Sequence, residues 1–523
     1  MIRENILVTQ ERNALSGFLE SYRRNKKANA IHINNVSYTY EDVLKISLQI
    51  LAEIEKVQGT KQKFIGLYAD HTVYTYASII AVMLNGSGYV PLNSKFPAER
   101  NGMICSEADL HMVLGGNHSA SAIEEICKHA TVNLIYVNNT VVPVETINII
   151  PDPTIFKDDY VYMMFTSGST GKPKGVPINH KNILHYLKIM TQYGLYEFSP
   201  EDRFLQAIEL TFDMSILGIF VAWEVGGCVY PVKLDGLAYL NVLKTLQDHK
   251  ITVSYVVPSV VTYAKKYLEA GEINLSSLRY SFFAGEALLV SHVKAWSVAA
   301  PSSIIENVFG PTEATNTFLR YRWSKELSEK ESINGAVSIG RPNPGIATTI
   351  ISESDSILRD GERGQLCVYG DQVSDGYWKD KEKTDRSFVH LPESSLPGKW
   401  YKTGDLAYLN ENGNYIYCGR CDNQIKINGF RVELDEIEFH IRNIVNLEMV
   451  AVLYSSVAPE GIFGFIEAEH ADLNSEKILS QLTEFVPEYM IPKSITILKK
   501  MPLNINGKID RNALKELIQG KQK

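Results

Sequence analysis

The stretch 164-MFTSGSTGKPKG-175 crowds glycine, serine, threonine and lysine into one loop directly behind the apolar run 160-YVYMMF-165. Glycine tolerates positive φ and lets the main chain approach closely, so the backbone N–H groups of such a turn can converge on phosphate oxygens. Hydroxyls add donors and lysine adds charge, a combination suited to the tail of a nucleoside triphosphate. The spacing excludes the two commonest loops of this kind. A Walker loop needs G-x-x-x-x-G-K-[ST], but counting from Gly168 puts Pro173 at its second glycine, and counting from Gly171 also fails. The kinase pattern G-x-G-x-x-G is absent from this stretch. A flexible linker would not usually join two lysines to an apolar strand immediately upstream.

The surrounding chain is that of an ordinary globular protein. At 523 residues it exceeds a single compact core, and its 45% hydrophobic and 21% charged content is typical of folded domains. A formal net charge of -8 argues against a broad nucleic-acid or anionic-membrane footprint. The N-terminal MIRENILVTQERNALSGFLES has charges on both sides of its apolar residues and no signal-peptide core, and no run reaches the roughly 20 apolar residues of a spanning helix. A cytoplasmic location is expected. Six scattered cysteines fit a reducing compartment. The pair in 418-CGRC-421 has redox or zinc spacing, but no second ligand pair follows, so it reads as coincidence.

Short β-rich runs, 63-KFIGLYA-69, 132-VNLIYV-137 and 252-TVSYVV-257, alternate with helix-compatible stretches over the first 330 residues, which predicts α/β layers with a largely parallel sheet. Beyond about residue 335 turn signals thicken and the strands shorten, as in 365-QLCVYG-370 and 414-NYIYCG-419, and Asn412-Gly413 signals a hairpin. From about 422 a compact α+β unit is expected, with Ile478, Leu479, Leu482, Phe485 and Val486 on one helix face. The segment 113-VLGGNHSAS-121 has the look of a phosphopantetheine attachment site around Ser119, but its spacing is one residue too long and it reads as a strand-end turn.

In its wider context, 162-YMMFTSGSTGKPKGVPINHKN-182, the opening loop resembles the signature of the adenylate-forming superfamily: acyl-CoA synthetases, luciferases and the adenylation domains of non-ribosomal peptide synthesis. The motifs 309-FGPTEAT-315, 400-WYKTGDLA-407, 419-GRCDNQIKINGFRVELDEIE-438 and 502-PLNINGKIDRNAL-514 follow in family order, so the resemblance spans nearly the whole chain. It is nearest to amino-acid-activating adenylation domains. The fold implied is α/β: a large N-terminal domain, 1–420, of layered α/β subdomains plus a distorted β-barrel, and a small mobile α+β C-terminal domain, 421–523, with its hinge at Asp422. The chemistry implied is attack of a carboxylate on the α-phosphate of ATP, with Mg²⁺, giving an acyl-adenylate and pyrophosphate, followed by transfer to a thiol. Because both reactants are anionic, catalysis must lie mostly in positioning and charge neutralisation.

By this resemblance Thr166, Ser167, Gly168, Ser169, Thr170, Gly171 and Lys172 hold the β- and γ-phosphates, Thr312 touches the α-phosphate and Glu313 holds the metal. Asn307 and Phe309 frame the adenine; the family more often has Tyr at the second position. Asp405 and Arg420 take the ribose. Lys508 bridges the substrate carboxylate and the α-phosphate, and Gly429 leaves room for a pantetheine arm. Asp213 is the resemblance's partner for an α-ammonium, with Met214, Leu217, Tyr255, Phe282, Ala284, Val308, Asn316 and Thr317 as the remaining pocket wall. With no other charge in that set, a small apolar cavity is expected. Its order of residues resembles stand-alone prolyl-adenylating enzymes of pyrrole- or anatoxin-type pathways, from which Asn316 and Thr317 depart. L-Proline is the substrate implied, with alanine or D-alanine as alternatives. The chain ends fifteen residues after Lys508, so a carrier protein acting in trans is expected as acceptor. A CoA ligase is the nearest rival reading, and a non-catalytic nucleotide or amino-acid sensor is the rival from another class, disfavoured because the chemical residues are present.

Overall fold

A computed structural model describes residues 12–57, 59–116, 119–137, 158–168, 172–234, 237–427, 429–457, 459–468, 473–503 and 509–520. Two parallel-cored sheets make up most of its first two thirds. The first runs in the order Asn133–Val137, Met112–Gly116, Phe64–Ala69, Gly88–Asn93, Tyr160–Thr166, Lys174–Asn179, and only the last pair is antiparallel. Phe64–Ala69, Gly88–Asn93 and Met112–Gly116 are buried at every residue, as expected of parallel strands covered on both faces. Helix Val73–Leu84 is apolar nearly all round and packs as a core helix.

The second sheet has nine strands. Its parallel interior comprises Asn29–Ile33, Cys228–Pro231, Arg203–Gln206, Val253–Val256, Tyr280–Phe283 and Ile304–Phe309, with antiparallel strands added at both ends. The predicted parallel sheet is thus divided between two sheets, a division that strand periodicity alone does not report. Phe18 of helix Ser16–Asn25 meets Trp223 edge-on at 5.3 Å, tying that helix to the far side of the second sheet.

The change of texture near residue 335 corresponds to an antiparallel sheet of Ala347–Ile351, Gly364–Tyr369, Trp400–Leu409 and Phe388–Val389, with Tyr415–Arg420 also paired to Trp400–Leu409. Asn412-Gly413 turns between the last two long strands, with Gly413 at φ +71°. The expected distorted barrel is an open sheet among the described residues: Phe388–Val389 offers two residues, too few to carry pairing round to the opposite edge.

The hairpin Gln424–Ile427/Phe430–Glu433 leads into helix Leu434–Val445 and a three-stranded sheet of Val450–Ser455, Gly461–Glu467 and Ser494–Leu498. These elements share their own apolar cluster, including Val432, Ile437, Ile441, Val452, Ile466 and Leu482. The helix expected at 475–486 stops at Leu482. Ile478, Leu482 and Val486 are buried, while Leu479 and Phe485 pack at the margin. Ser119 stands at a strand-to-helix turn ahead of Ala120–Cys127, with its hydroxyl on Asp70 (3.3 Å). Among the described residues no helix is long and apolar enough to cross a membrane, and no His, Cys, Asp or Glu cluster could hold a metal on its own.

Trp296 is fully buried, donates to Ser281 Oγ (2.9 Å) and stands edge-on to Phe283. Trp296→Ala should cost about 3–5 kcal/mol through lost burial and the cavity it leaves, read as a lowered urea midpoint of the second sheet's unfolding transition.

Candidate active site

The loops leaving the carboxyl ends of the parallel strands converge between the two sheets, the place where open α/β sheets hold ligands. Thr166 ends one strand of the first sheet. Ala284 follows one strand of the second sheet and Phe309 ends another. The resulting cleft is lined by Thr166, Ser167, Asp213, Met214, Tyr255, Ala284, Thr312, Asn316, Asp405, Arg420 and Gly429, residues drawn from four of the five motifs and from the pocket positions expected between them.

Thr166 and Ser167 reach the cleft because the strand pair Tyr160–Thr166/Lys174–Asn179 closes into a tight loop. A Cβ on Gly168 would lie 2.0 Å from the Lys172 carbonyl. The loop is anchored downstream by a reciprocal cap in which Asn179 and Asn182 each accept from the other's N–H (both 3.0 Å), starting helix His180–Thr191. Ser169, Thr170 and Gly171 lie outside the described residues, as does Lys508. Lys172 faces outward and pairs with Glu107 (3.4 Å). The buried lysine of this loop is instead Lys174, which the sequence reading passed over. Burial and Arg431 push its pKa down to about 7, against the opposing pull of Glu313 and Glu433.

The segment 312–317 is strongly shaped. Thr312–Ala314 forms one 3₁₀ turn, and Thr315 and Asn316 then both adopt positive φ (52° and 74°). Gln372 holds this costly backbone in place: the two hydrogens of its Nε2 are shared among the carbonyls of Ala314, Thr315 and Thr317 (2.9, 2.9 and 2.8 Å), and its backbone carbonyl accepts from Thr315 Oγ1 (2.6 Å). The result aims the Asn316 N–H at Asp213 Oδ2 (3.0 Å). The Asn316 side chain accepts from Tyr255 OH (2.8 Å) and donates to Tyr186 OH (3.0 Å). The pocket is therefore not the purely apolar cavity expected. A buried amide and two phenols form a polar hub in it, and Tyr186 carries no motif that marks it. Leu217, in the π-helical turn Leu217–Val221, and Phe282, Val308 and Thr317 are buried but do not themselves line the cleft; Phe282 stands edge-on to Tyr255.

Asp213 is buried and has no ion pair among the described residues. Burial pushes its carboxyl up to about 6, partly offset by the Asn316 N–H. Of the two residues expected to frame the adenine, Asn307 donates to the carbonyls of Val337 and Ser338 (3.3 and 2.8 Å), while the Phe309 ring neighbours Phe318, Tyr417 and Lys426 Nζ. Arg420 bridges Asp405 (2.8 Å) and Asp422 (2.6 Å). Cys421 Sγ rests on the Gly404 carbonyl (3.1 Å), so 418-CGRC-421 serves packing here.

Glu313 is fully buried. Burial acts to raise its carboxyl, but Arg431, Lys174 and the Tyr377 hydroxyl (2.8 Å) outweigh that and hold it at about 2. A permanently ionised oxygen donor suits a hard divalent cation. Thr166 Oγ1, buried without a hydrogen-bond partner among the described residues, is a donor that a phosphate oxygen would satisfy. These residues fit Mg²⁺ delivered with phosphates rather than an all-protein metal cage.

The hairpin Gln424–Ile427/Phe430–Glu433 closes the cleft and leaves a space of only about 80 Å³. Phe430 stacks on Tyr489 at 4.0 Å and meets Phe212 edge-on. Gly429 (φ +82°) has its N–H on Glu286 Oε1 (2.9 Å), whose other oxygen accepts from Ser259 N–H (2.9 Å) at the start of helix Ser259–Glu269. A Cβ on Gly429 would fall 2.5 Å from Val257. Gly429, Phe212 and Met214 also border a second cavity of about 620 Å³ that reaches Leu237, Tyr239 and Tyr263. Arg431 and Lys426 sit within the motif that signalled this region, but Glu286, Gln372 and Tyr377 lie in no motif.

The geometry agrees with three comparisons. The family model described as AMP-binding enzyme matches residues 18–378. "Zwittermicin A synthase ZmaJ" of Bacillus cereus is 29% identical over 95% of this chain and 93% of its own length. "Gramicidin S synthase 1" of Brevibacillus brevis is 31% identical over 93% of this chain, which spans 43% of that relative. Among solved structures, the Vibrio cholerae adenylation domain AlmE in complex with glycyl-adenosine-5'-phosphate superposes with TM-score 0.82 at 26% identity, covering 99% of this chain and 100% of its own. On the match over 18–378, this chain belongs to the AMP-binding enzyme family.

Proposed function

We propose that this chain condenses an amino acid with ATP, releasing pyrophosphate, and passes the resulting aminoacyl-adenylate to the phosphopantetheine thiol of a separate carrier protein. The observation that carries this reading is Asp213, a buried carboxylate on the cleft wall that makes no ion pair among the described residues, with Lys426 acting on it only through space. An α-ammonium is the partner that such a group lacks. Asp405 and Arg420 would hold the ribose and Thr166 and Ser167 phosphate oxygens. Mg²⁺ held at Glu313 would screen the charge of the nucleotide's phosphates. Lys508 would neutralise charge between the substrate carboxylate and the α-phosphate. Residues 421–523 would turn about Asp422 so that Lys508 and the thiol take turns at one carbonyl. The second cavity, bordered by Gly429, is the path for the pantetheine arm. A cytoplasmic setting accords with this chemistry.

L-Proline is the substrate we assign, on the order of residues lining the pocket. The Asn316–Tyr255–Tyr186 hub favours a second reading, a smaller amino acid such as alanine or D-alanine, because the hub occupies room that an apolar pocket would leave open. Amino-acid-dependent ATP–pyrophosphate exchange across the proteinogenic set and D-alanine separates them. Strongest exchange with L-proline is expected; strongest exchange with another amino acid retains the chemistry and removes the proline assignment. Silence with every amino acid, together with CoA-dependent product from a simple carboxylic acid, would overturn the amino-acid reading.

Two predictions follow from single residues. Lys508→Ala should nearly abolish adenylate formation while leaving thioester formation from supplied adenylate largely intact; equal loss in both single-turnover assays would remove its assigned role. Asp213 must be ionised to pair with ammonium, and its pKa is raised to about 6. As pH falls through that value, KM for the amino acid should rise about tenfold per unit with a smaller change in kcat, and Asp213→Asn should flatten the profile. The same group should make the free protein more stable as pH falls from about 6 towards 4, since the folded state takes up a proton there before the unfolded chain does.

A further inference from the structure

One wall of the amino-acid pocket is built differently from the rest. Met214 and Ala284 line the cleft with apolar groups, and the unbranched Met214 can shift to admit a bulkier neighbour. Tyr255 and Asn316 line it too, but both are committed through hydrogen bonds. Tyr255 OH donates to Asn316 Oδ1 (2.8 Å), and Asn316 Nδ2 donates to Tyr186 OH (3.0 Å). Tyr186 itself does not line the cleft. It is buried on helix His180–Thr191, so its hydroxyl acts on the pocket only through the Asn316 amide. Nor can Asn316 retreat with its backbone. Its N–H is held by Asp213 Oδ2 (3.0 Å), the Gln372 amide is shared among carbonyls on both sides of it, and its own carbonyl packs so closely on Gly310 that a Cβ there would collide with it.

An apolar wall meets an oversized side chain with graded resistance, one surplus methylene being worth about 10–200-fold in discrimination. A wall of buried hydrogen bonds does not yield by degrees. A side chain that displaces the Asn316 amide breaks both of its bonds together and leaves an amide and two phenols buried without partners. A side chain that stops short of the amide disturbs none of them. Resting on the assignment of Asp213 to the α-ammonium, we propose that Tyr186 is a positioning residue for specificity: by holding the Asn316 amide against Tyr255 it turns the pocket into a gauge of fixed length. The enzyme then selects α-amino acids with short side chains by a sharp cut-off, and the cut-off is set by a hydroxyl that the substrate never touches.

The test is ATP–pyrophosphate exchange on the full chain with two series of amino acids that lengthen by one methylene at a time: glycine, alanine, 2-aminobutyrate, norvaline and norleucine, and azetidine-2-carboxylate, proline and pipecolate. In the wild type kcat/KM should fall by more than about 200-fold at one step, beyond what a methylene costs in an apolar pocket. Tyr186→Phe keeps the ring and removes the hydroxyl. It should bring that step back to about 10–200-fold, by lowering KM for the longer amino acid and not by raising kcat. Tyr255→Phe removes the amide's other partner and should act in the same direction, which keeps the test open if the first variant fails to fold. Tyr40→Phe removes an equally buried hydroxyl, bonded to the Gly227 carbonyl (2.9 Å) and outside the cleft lining, and should leave the step as it is in the wild type. A step softened by Tyr40→Phe as well would assign the effect to general loosening and overturn the role of Tyr186. A wild-type profile without such a step, or a step that survives both Tyr186→Phe and Tyr255→Phe, overturns the gauge while sparing the assigned chemistry. Exchange with no amino acid at all in the wild type overturns both.

Discussion

A carboxylate with no access to water cannot stay ionised without a cation beside it, and Glu313 is such a carboxylate. Its position is fixed from three sides: by the 3₁₀ turn that carries it, by the Tyr377 hydroxyl and by Arg431, which arrives from more than a hundred residues away in sequence. The hairpin that brings this guanidinium in also closes the cleft, and burial together with Arg431 depresses the pKa of Lys174. The two parallel sheets present their strand ends to each other, and the charge left between them determines what can lie there.

Around this pair the cleft divides into two chemically different halves. On one side stand the Thr166 and Ser167 hydroxyls, Lys174 and the ionised Glu313. On the other, Asp213, without an ion pair among the described residues, accepts from the Asn316 N–H beside a satisfied amide–phenol hub. The halves are joined by the 312–317 segment, whose two positive-φ residues turn Glu313 one way and Asn316 the other. One side-chain amide, that of Gln372, accounts for much of its rigidity.

The sequence made the strands and the chemistry legible in unequal measure. Continuous apolar runs such as 63-KFIGLYA-69 announce buried parallel strands because both faces are covered, and they are strands in the structure. The division into two sheets is invisible in those runs, since it depends on which strand ends pair across more than a hundred residues. Motifs carried the cleft lining from Thr166 to Arg420, because functional loops keep their residues contiguous. Gln372, Tyr186 and Glu286 carry no such mark: each acts by reaching a backbone group or a side chain that only the tertiary fold brings near. Lys172 and Lys174 are two residues apart with opposite fates: Lys172 precedes the strand and pairs at the surface, whereas Lys174 opens Lys174–Asn179, a strand buried at every residue.

Glu286 divides its two oxygens between two elements far apart in sequence. Ser259 N–H belongs to the first turn of a helix in the large layered unit, whereas Gly429 N–H belongs to the hairpin. Were the hairpin to withdraw, the helix start would keep its acceptor, and at Glu286 one hydrogen bond to a carboxylate would be exchanged for water, a net change of about 1.5–3 kcal/mol. The carboxylate is therefore a berth that survives its tenant: the surface left behind stays ordered, and a returning hairpin meets the same acceptor without having to rebuild it.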